Sequence, residues 1–404
     1  LLEHDYADYT DATGGVTVDL VAGYGTGAGV GRDTLIGIEA VLGSQHGDTL
    51  LGSADHNLFN PGAGDDRMVG GDGYDIVGYW DASGPVQIDM RTGRVTGASG
   101  NDTLDGFEGA LGTAHADVIT GDAGNNFIRG YAGDDSLDGG DGFDRAAYDF
   151  GSGSVNVSLR TNTATGSEGN DTLANFENLR GGSFNDTLEG NDGVNDIEGG
   201  DGNDFIQGLA GEAVLEGQGG EDTLRGGQGN DTLDGGGHGS GQFDYADYRD
   251  VVGAVTVRLT GLDGTGNGSA TGGDAGTDTL IGIDGVLGGA GDDTIIGGAT
   301  DDLFSGGLGA DSIDGGGGFD IVHYRFGSAS DGVQVNLKTG AVWGRKFTVA
   351  HDCGVVINPQ LLTQTIEGNI VQALSRATLE EVKFDGKNVL SVDWETYPIL
   401  DITQ

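Results

Sequence analysis

The chain has 404 residues, 84 of them glycine, and sets 65 acidic side chains against 18 basic ones for a formal charge of −47. Glycine costs about 1 kcal/mol per helix-interior position relative to alanine, which excludes helical domains wherever it is dense. The acidity excludes phosphate backbones and anionic lipid surfaces as partners, and no apolar run approaches the roughly 18 residues that span a membrane. One cysteine permits no intramolecular disulfide, leaving bound cations as the device that could staple such a fold.

The chain begins at Leu1 within an acidic stretch, without the basic, apolar and small-residue succession of a signal peptide. Its N-terminus is therefore expected to be cut, or to be preceded by further sequence. Only Gly354, Gly368 and Gly386 lie beyond Arg345, so the chain reads as two materials joined near Gly344.

Cut every nine residues, the glycine-rich part places the same residue types in the same columns. Residues 43–78 read GSQHGDTLL, GSADHNLFN, PGAGDDRMV, GGDGYDIVG; residues 112–147, 181–234 and 288–323 repeat the pattern. Across 18 such units, column six is Asp fourteen times, Asn three times (Asn57, Asn126, Asn195) and Ala once (Ala213), and column eight is always apolar. A flexible linker has no reason to keep that register. Glycines in columns one, two and four permit a tight turn with converging carbonyls, and the column-six carboxylate completes an oxygen cage suited to a hard cation such as Ca²⁺. The remaining residues form a strand of about three residues whose column-eight side chain points inward.

These units resemble the hemolysin-type calcium-binding (RTX) repeats, best seen in GGDGYDIVG (70–78), GGDGFDRAA (139–147), GGDGNDFIQ (199–207) and GGLGADSID (306–314). The resemblance implies an all-β fold: a right-handed parallel β-roll or β-helix solenoid, two nonapeptides per coil, with Ca²⁺ between the turns of successive coils. It implies as ligands Asp48, Asp66, Asp75, Asp117, Asp135, Asp144, Asp186, Asp204, Asp222, Asp231, Asp293, Asp302, Asp311 and Asp320. Sites at Ala213 and Asn57 should be weak or empty. Gly235–Phe243 breaks register, and His238 within it reads as an exposed turn residue, since no second His or Cys lies at a zinc-like spacing.

A longer period of about seventy residues overlies the nonapeptides. Tyr9, Tyr79, Tyr148, Tyr248 and Tyr324 each precede an alternating strand, at Val16–Leu20, Val86–Met90, Val155–Leu159, Val255–Leu259 and Val333–Leu337. The first four are followed by Asp33-Thr34-Leu35, Asp102-Thr103-Leu104, Asp171-Thr172-Leu173 and Asp278-Thr279-Leu280, which read as additional coils. The tyrosine reads as a coil-closing residue. Trp80 beside it is a candidate for stacking on sugars. The expected organisation is a truncated first supermodule at 1–42; repeat blocks at 43–78, 112–147, 181–243 and 288–323; wide coils at 79–111, 148–180 and 244–287; and a partial one at 324–344. The glycines at 23–31 lack the strand, helix and lysine context of a nucleotide loop.

Residues 345–404 form a short α+β segment: helix-compatible spacing over 359–381, then a hairpin over 383–393 turning at Asp385-Gly386. The segment resembles the C-terminal part of the molybdopterin-binding subunit of the xanthine dehydrogenase and aldehyde oxidase family. The resemblance rests on Asp352-Cys353-Gly354, Asn358-Pro359, Gln364, Glu367-Gly368, Glu380-Glu381 and Tyr397-Pro398. It implies Gln364 as the cofactor-approaching residue, while that family's catalytic Gly-x-Gly-Glu is not reached. The junction falls inside a repeat, and a natural fusion, a gene-assembly artefact and a reused cap all account for it.

The reading for the whole is a non-enzymatic calcium-binding repeat protein with multiple Ca²⁺ ions, secreted by a type I-like route and acting at the surface or in a matrix. Polysaccharide or self-association are its candidate partners. The alternatives are the repeat region of a secreted protease or lipase, whose His-Glu-x-x-His or Gly-x-Ser-x-Gly motif would lie upstream, and a fragment of a molybdenum hydroxylase.

Overall fold

The computed structural model describes residues 5–239, 241–259 and 267–323, with the strand pairs Phe384–Asp385 and Asn388–Val389. Two compact units divide the chain, Leu1–Val322 and His323–Gln404. Among the described residues every regular element is a strand.

Each nonapeptide of the first unit turns and then runs for three residues, and successive strands go to alternate sheets. In the first sheet Ala40–Leu42 pairs in parallel with Leu58–Asn60, and that strand with Ile76–Gly78. In the second, Thr49–Leu51 pairs in parallel with Arg67–Val69. Partners such as Thr49 and Arg67 are 18 residues apart, so one coil consists of two nonapeptides, one strand to each sheet. Column eight supplies the core: Leu50, Phe59, Met68, Val77, Ile119, Ile128, Ile206 and Leu224 are fully buried between the sheets. A core one side chain deep per half-coil explains why that column is never polar.

The Asp-Thr-Leu strands of the second to fourth long-period elements continue the roll as the additional coils read in the sequence, with Leu104, Leu173 and Leu280 opposite Met68, Leu137 and Leu233, but each is the last strand of an antiparallel meander rather than part of a plain wide coil. Val86–Asp89, Arg94–Gly97 and Asn101–Asp105 make a three-stranded antiparallel meander. Its last strand pairs in parallel with Arg67–Val69 of the coil before, and its first with Val118–Thr120 of the coil after. The physical reason is loop length: Asp89 faces Arg94, and the tight turn between them, with Gly93 at φ 63°, cannot carry the dozen or more residues of a parallel crossover. Equivalent meanders form at 16–34, 155–174 and 255–281. The fifth alternating segment lies outside the described residues.

Gly235–Phe243 is an elongated turn within the roll. It delivers Tyr245–Asp247 into the second sheet beside Thr223–Arg225, so eight roll strands separate the third meander from the fourth, against five between the earlier ones. Because strands alternate between sheets, that even number places the fourth meander in the first sheet, whereas the other three lie in the second. Roll pairing continues through Ser312–Asp314 and Ile321–Val322.

In the second unit Phe384 pairs antiparallel with Val389 and Asp385 with Asn388, within the expected hairpin over 383–393. The helix expected at 359–381 and Gln364 lie outside the described residues.

Candidate functional site

The turns preceding the strands stack into two ladders of column-six side chains, one beside each sheet. Each N–H in a ladder is taken by a carboxylate one coil on: Asp48 N–H donates to Asp66 Oδ1 at 2.6 Å, Asp117 to Asp135 at 2.7 Å, Asp186 to Asp204 at 2.7 Å and Asp204 to Asp222 at 2.8 Å. The other ladder has Asn57 donating to Asp75, Asn126 to Asp144 and Ala213 to Asp231. The last block repeats this with Asp293 to Asp311 and Asp302 to Asp320. Column-one glycine is dictated by this stacking, since a Cβ at Gly43 would strike both the Pro61 carbonyl and Asp48 Oδ2. Column two takes φ > 0 in the later turns of a block, as at Gly71 with φ 119°, but not in the opening turns at Ser44 and Thr113.

The fourteen expected carboxylates divide by what their oxygens do. Asp48, Asp117, Asp186 and Asp293 open their stacks and spend both oxygens on backbone donors, for example Val155 N–H on Asp186 Oδ1 and Gly182 N–H on Oδ2. Asp302 likewise takes Gly298 N–H on Oδ2. The interior members Asp66, Asp75, Asp135, Asp144, Asp204, Asp222 and Asp231 are buried and leave Oδ2 without a hydrogen-bond partner. Burial pushes Asp66 and Asp135 up to about 7, Asp204 to about 8, and Asp75, Asp144, Asp222 and Asp231 to about 6, with backbone N–H donors pulling the other way. Neighbouring carboxylates add to the upward push, as Asp171 and Asp117 do at Asp135.

An orphaned buried carboxylate oxygen is costly without a cation or proton to meet it. A line of such oxygens in carbonyl-rich glycine turns fits a hard, oxygen-ligated ion such as Ca²⁺. The chemistry that ion supplies is charge neutralisation; the protein's own groups supply the spacing.

The departures have distinct geometries. Asn57, Asn126 and Asn195 accept a turn N–H on Oδ1 and donate Nδ2 to the carbonyls of Glu39, Glu108 and Glu177, a bond no carboxylate could make. At Ala213 the ladder breaks: Asn195 N–H goes instead to the Glu212 carbonyl at 3.3 Å. The flanking backbone extends into seven-residue strands at Asn195–Asp201 and Ala213–Gly219.

Sequence reasoning did not assign the groups that close the stacks. Asp102, Asp171 and Asp278 accept the last ladder N–H on Oδ1, from Asp66, Asp135 and Asp231, and a tyrosine hydroxyl on Oδ2. The donors are the buried Tyr79, Tyr148 and Tyr248, each at 3.0 Å. The recurring tyrosine thus seals the oxygen that interior members leave open, a role signalled in the sequence by the 23-residue separation that Tyr79–Asp102 and Tyr148–Asp171 share. Glu108 and Glu177 end the other ladder, accepting Asp75 and Asp144 N–H on Oε2. Asp244 was also missed: it takes Asp222 N–H on Oδ1, but the elongated turn before it hides the nonapeptide frame. Trp80 is half-buried against Ala40, Leu58 and Leu111.

Residues 42–77, 93–110, 111–146, 175–206, 207–237 and 287–322 match the family described as the RTX calcium-binding nonapeptide repeat. The stacked turns are RTX repeats. Residues 310–404 match the molybdopterin cofactor-binding domain, a span that begins inside the last roll coils. A stretch of 68 residues is 38% identical to one of the subunits of the nicotinate dehydrogenase of Pseudomonas putida, covering 17% of this chain and 6% of that protein. The residues that would meet the pterin lie outside the described ones, so no chemistry is assigned to them.

Proposed function

We propose that the chain is a non-enzymatic calcium-dependent module that folds outside the cell, where its RTX turns fill with Ca²⁺ and stiffen the roll for a structural, surface or matrix role. The observation that carries this reading is the row of buried, unpartnered Oδ2 atoms at Asp66, Asp75, Asp135, Asp144, Asp204, Asp222 and Asp231. These seven are the primary ligands in this reading, completed by turn carbonyls of adjacent coils. Asp311 and Asp320 complete the terminal coils, and Asp48, Asp117, Asp186, Asp293 and Asp302 lock the entry turns. Extracellular calcium modules work at about 10⁻⁴–10⁻³ M, which would leave the chain open in the cytosol and close it after export by a type I-like route. Polysaccharide and a second copy of the chain are the partners this role would offer.

The test is a calcium titration of chelated protein followed by far-UV circular dichroism with direct metal counting. A coil-to-β transition near millimolar calcium with several ions per chain supports the proposal; a protein fully folded in chelator that binds few ions overturns it. A second reading, a displaced molybdenum hydroxylase piece, draws on the match over residues 310–404 and predicts molybdenum and pterin absorbance in the purified protein.

A further inference from the structure

The elongated turn Gly235–Phe243 brings a histidine to the end of a carboxylate ladder. Asp284 holds the place that Glu108 and Glu177 take elsewhere. Its N–H and that of Gly285 donate to the Asp244 carbonyl, as those of Glu108 and Gly109 do to Asp75 and those of Glu177 and Asn178 do to Asp144. At those two stations the glutamate side chain reaches the ladder N–H. Aspartate is one methylene shorter, and Asp284 Oδ2 instead lies 2.6 Å from His238 Nε2. One oxygen of Asp244 completes a trio whose three ligand atoms lie within 4.8 Å of one another.

Two observations indicate that this trio is built for an ion. Asp244 is fully buried, yet its Oδ2 has no hydrogen-bond partner. His238 Nδ1 lies 3.2 Å from the Gly239 carbonyl and Nε2 2.6 Å from Asp284 Oδ2; both partners can only accept, so the ring is held with Nε2 turned to the carboxylates and donating there in the ion-free fold. An ion at the trio would take the Nε2 lone pair in place of that proton, which leaves to solvent. A backbone carbonyl fixing one ring nitrogen while the other meets the metal is the usual outer-shell arrangement of histidine ligands.

We propose that His238, Asp244 and Asp284 bind one zinc-class transition-metal ion, with water completing the coordination. Imidazole nitrogen suits Zn²⁺ and is a poor ligand for Ca²⁺, so the site would select a different metal from the RTX turns. It sits where the fourth meander changes sheets, and the ion would tie the elongated turn to the strand Gly285–Leu287.

The test uses the full chain saturated with calcium, titrated with Zn²⁺ by calorimetry and with Co²⁺ by visible absorption. The expected result is one Zn²⁺ taken up on top of the calcium, and a Co²⁺ spectrum of nitrogen and oxygen ligation without a thiolate charge-transfer band. Affinity should fall at least about tenfold in His238→Ala and in Asp284→Asn, with calcium count and far-UV dichroism unchanged. Absence of zinc uptake, variants that bind zinc as the parent does, or a thiolate band overturns the proposal. The Co²⁺ spectrum of the parent decides the matter even if a variant fails to fold.

Discussion

A column-six aspartate has two oxygens with different tasks. Asp135 Oδ1 holds the Asp117 N–H, while its Oδ2 is buried and open. Replacing it by asparagine keeps the acceptor and removes the charge, a shape the chain already tolerates at Asn126. Asp135→Asn should therefore bind about one calcium ion fewer and melt at a lower temperature in calcium, yet melt no lower than the parent in chelator at mildly acid pH. A lower midpoint in both conditions would mean that the carboxylate acts through hydrogen bonding alone. Tyr79→Phe makes the converse case. It strips the shorter donor from Asp102 Oδ2 and leaves that buried oxygen only the 3.4 Å contact from the Ser99 hydroxyl, at a cost of about 1–3 kcal/mol. Thermal melts in calcium should show this destabilisation while metal counting shows no ion lost; a lost ion would mean that Asp102 is itself a ligand.

At the scale of the element, each strand contributes one inward side chain, so a core defect has few neighbours through which to spread. Ile206 is fully buried in the Phe205–Gln207 strand, paired with Thr187–Glu189 and Thr223–Arg225. Ile206→Ala should cost about 2–5 kcal/mol locally. In a quasi-one-dimensional stack, hydrogen exchange should accelerate in those adjoining coils and stay unchanged around Leu50 and Met68. Uniform acceleration along the roll would instead show one cooperative unit. The nonapeptide strands were legible because a three-residue strand needs only one apolar column to fix its register. The meanders were legible as strands but not as hairpins, because Val86–Asp89 alternates identically whether its neighbour runs parallel or antiparallel; the short Met90–Gly93 link is what decides. Asp244 and His238 were hidden for a related reason. Their contacts are made across the roll, with Asp222 and Asp284, and the elongated turn removes the nine-residue frame that would align them.

For the whole molecule, the charge of −47 and the lifted interior carboxylates act together. In the folded chain Asp66, Asp75, Asp135, Asp144, Asp204, Asp222 and Asp231 titrate at about 6 to 8, against an ordinary value of 3.8. Between those limits the folded state binds more protons than the unfolded one, so the ion-free roll loses stability as pH rises. The contribution is fully present below about 4 and is gone above about 8, as the carboxylates ionise beside one another in a dry ladder. Calcium reverses the sign. The ion meets the ionised form, so it must displace whatever protons remain, and its affinity should weaken as pH falls through the same window. The β signal in far-UV dichroism recorded from pH 4.5 to 8 should therefore fall with pH in chelator, toward the coil, while the thermal midpoint in excess calcium rises with pH, the two conditions converging on the acid side. Calorimetry at pH 7 in buffers of different ionisation enthalpy should register proton release on calcium binding. Parallel curves in chelator and calcium, with no protons released, would mean that the interior carboxylates are already ionised in the metal-free fold and that their burial is relieved by water rather than by the ion.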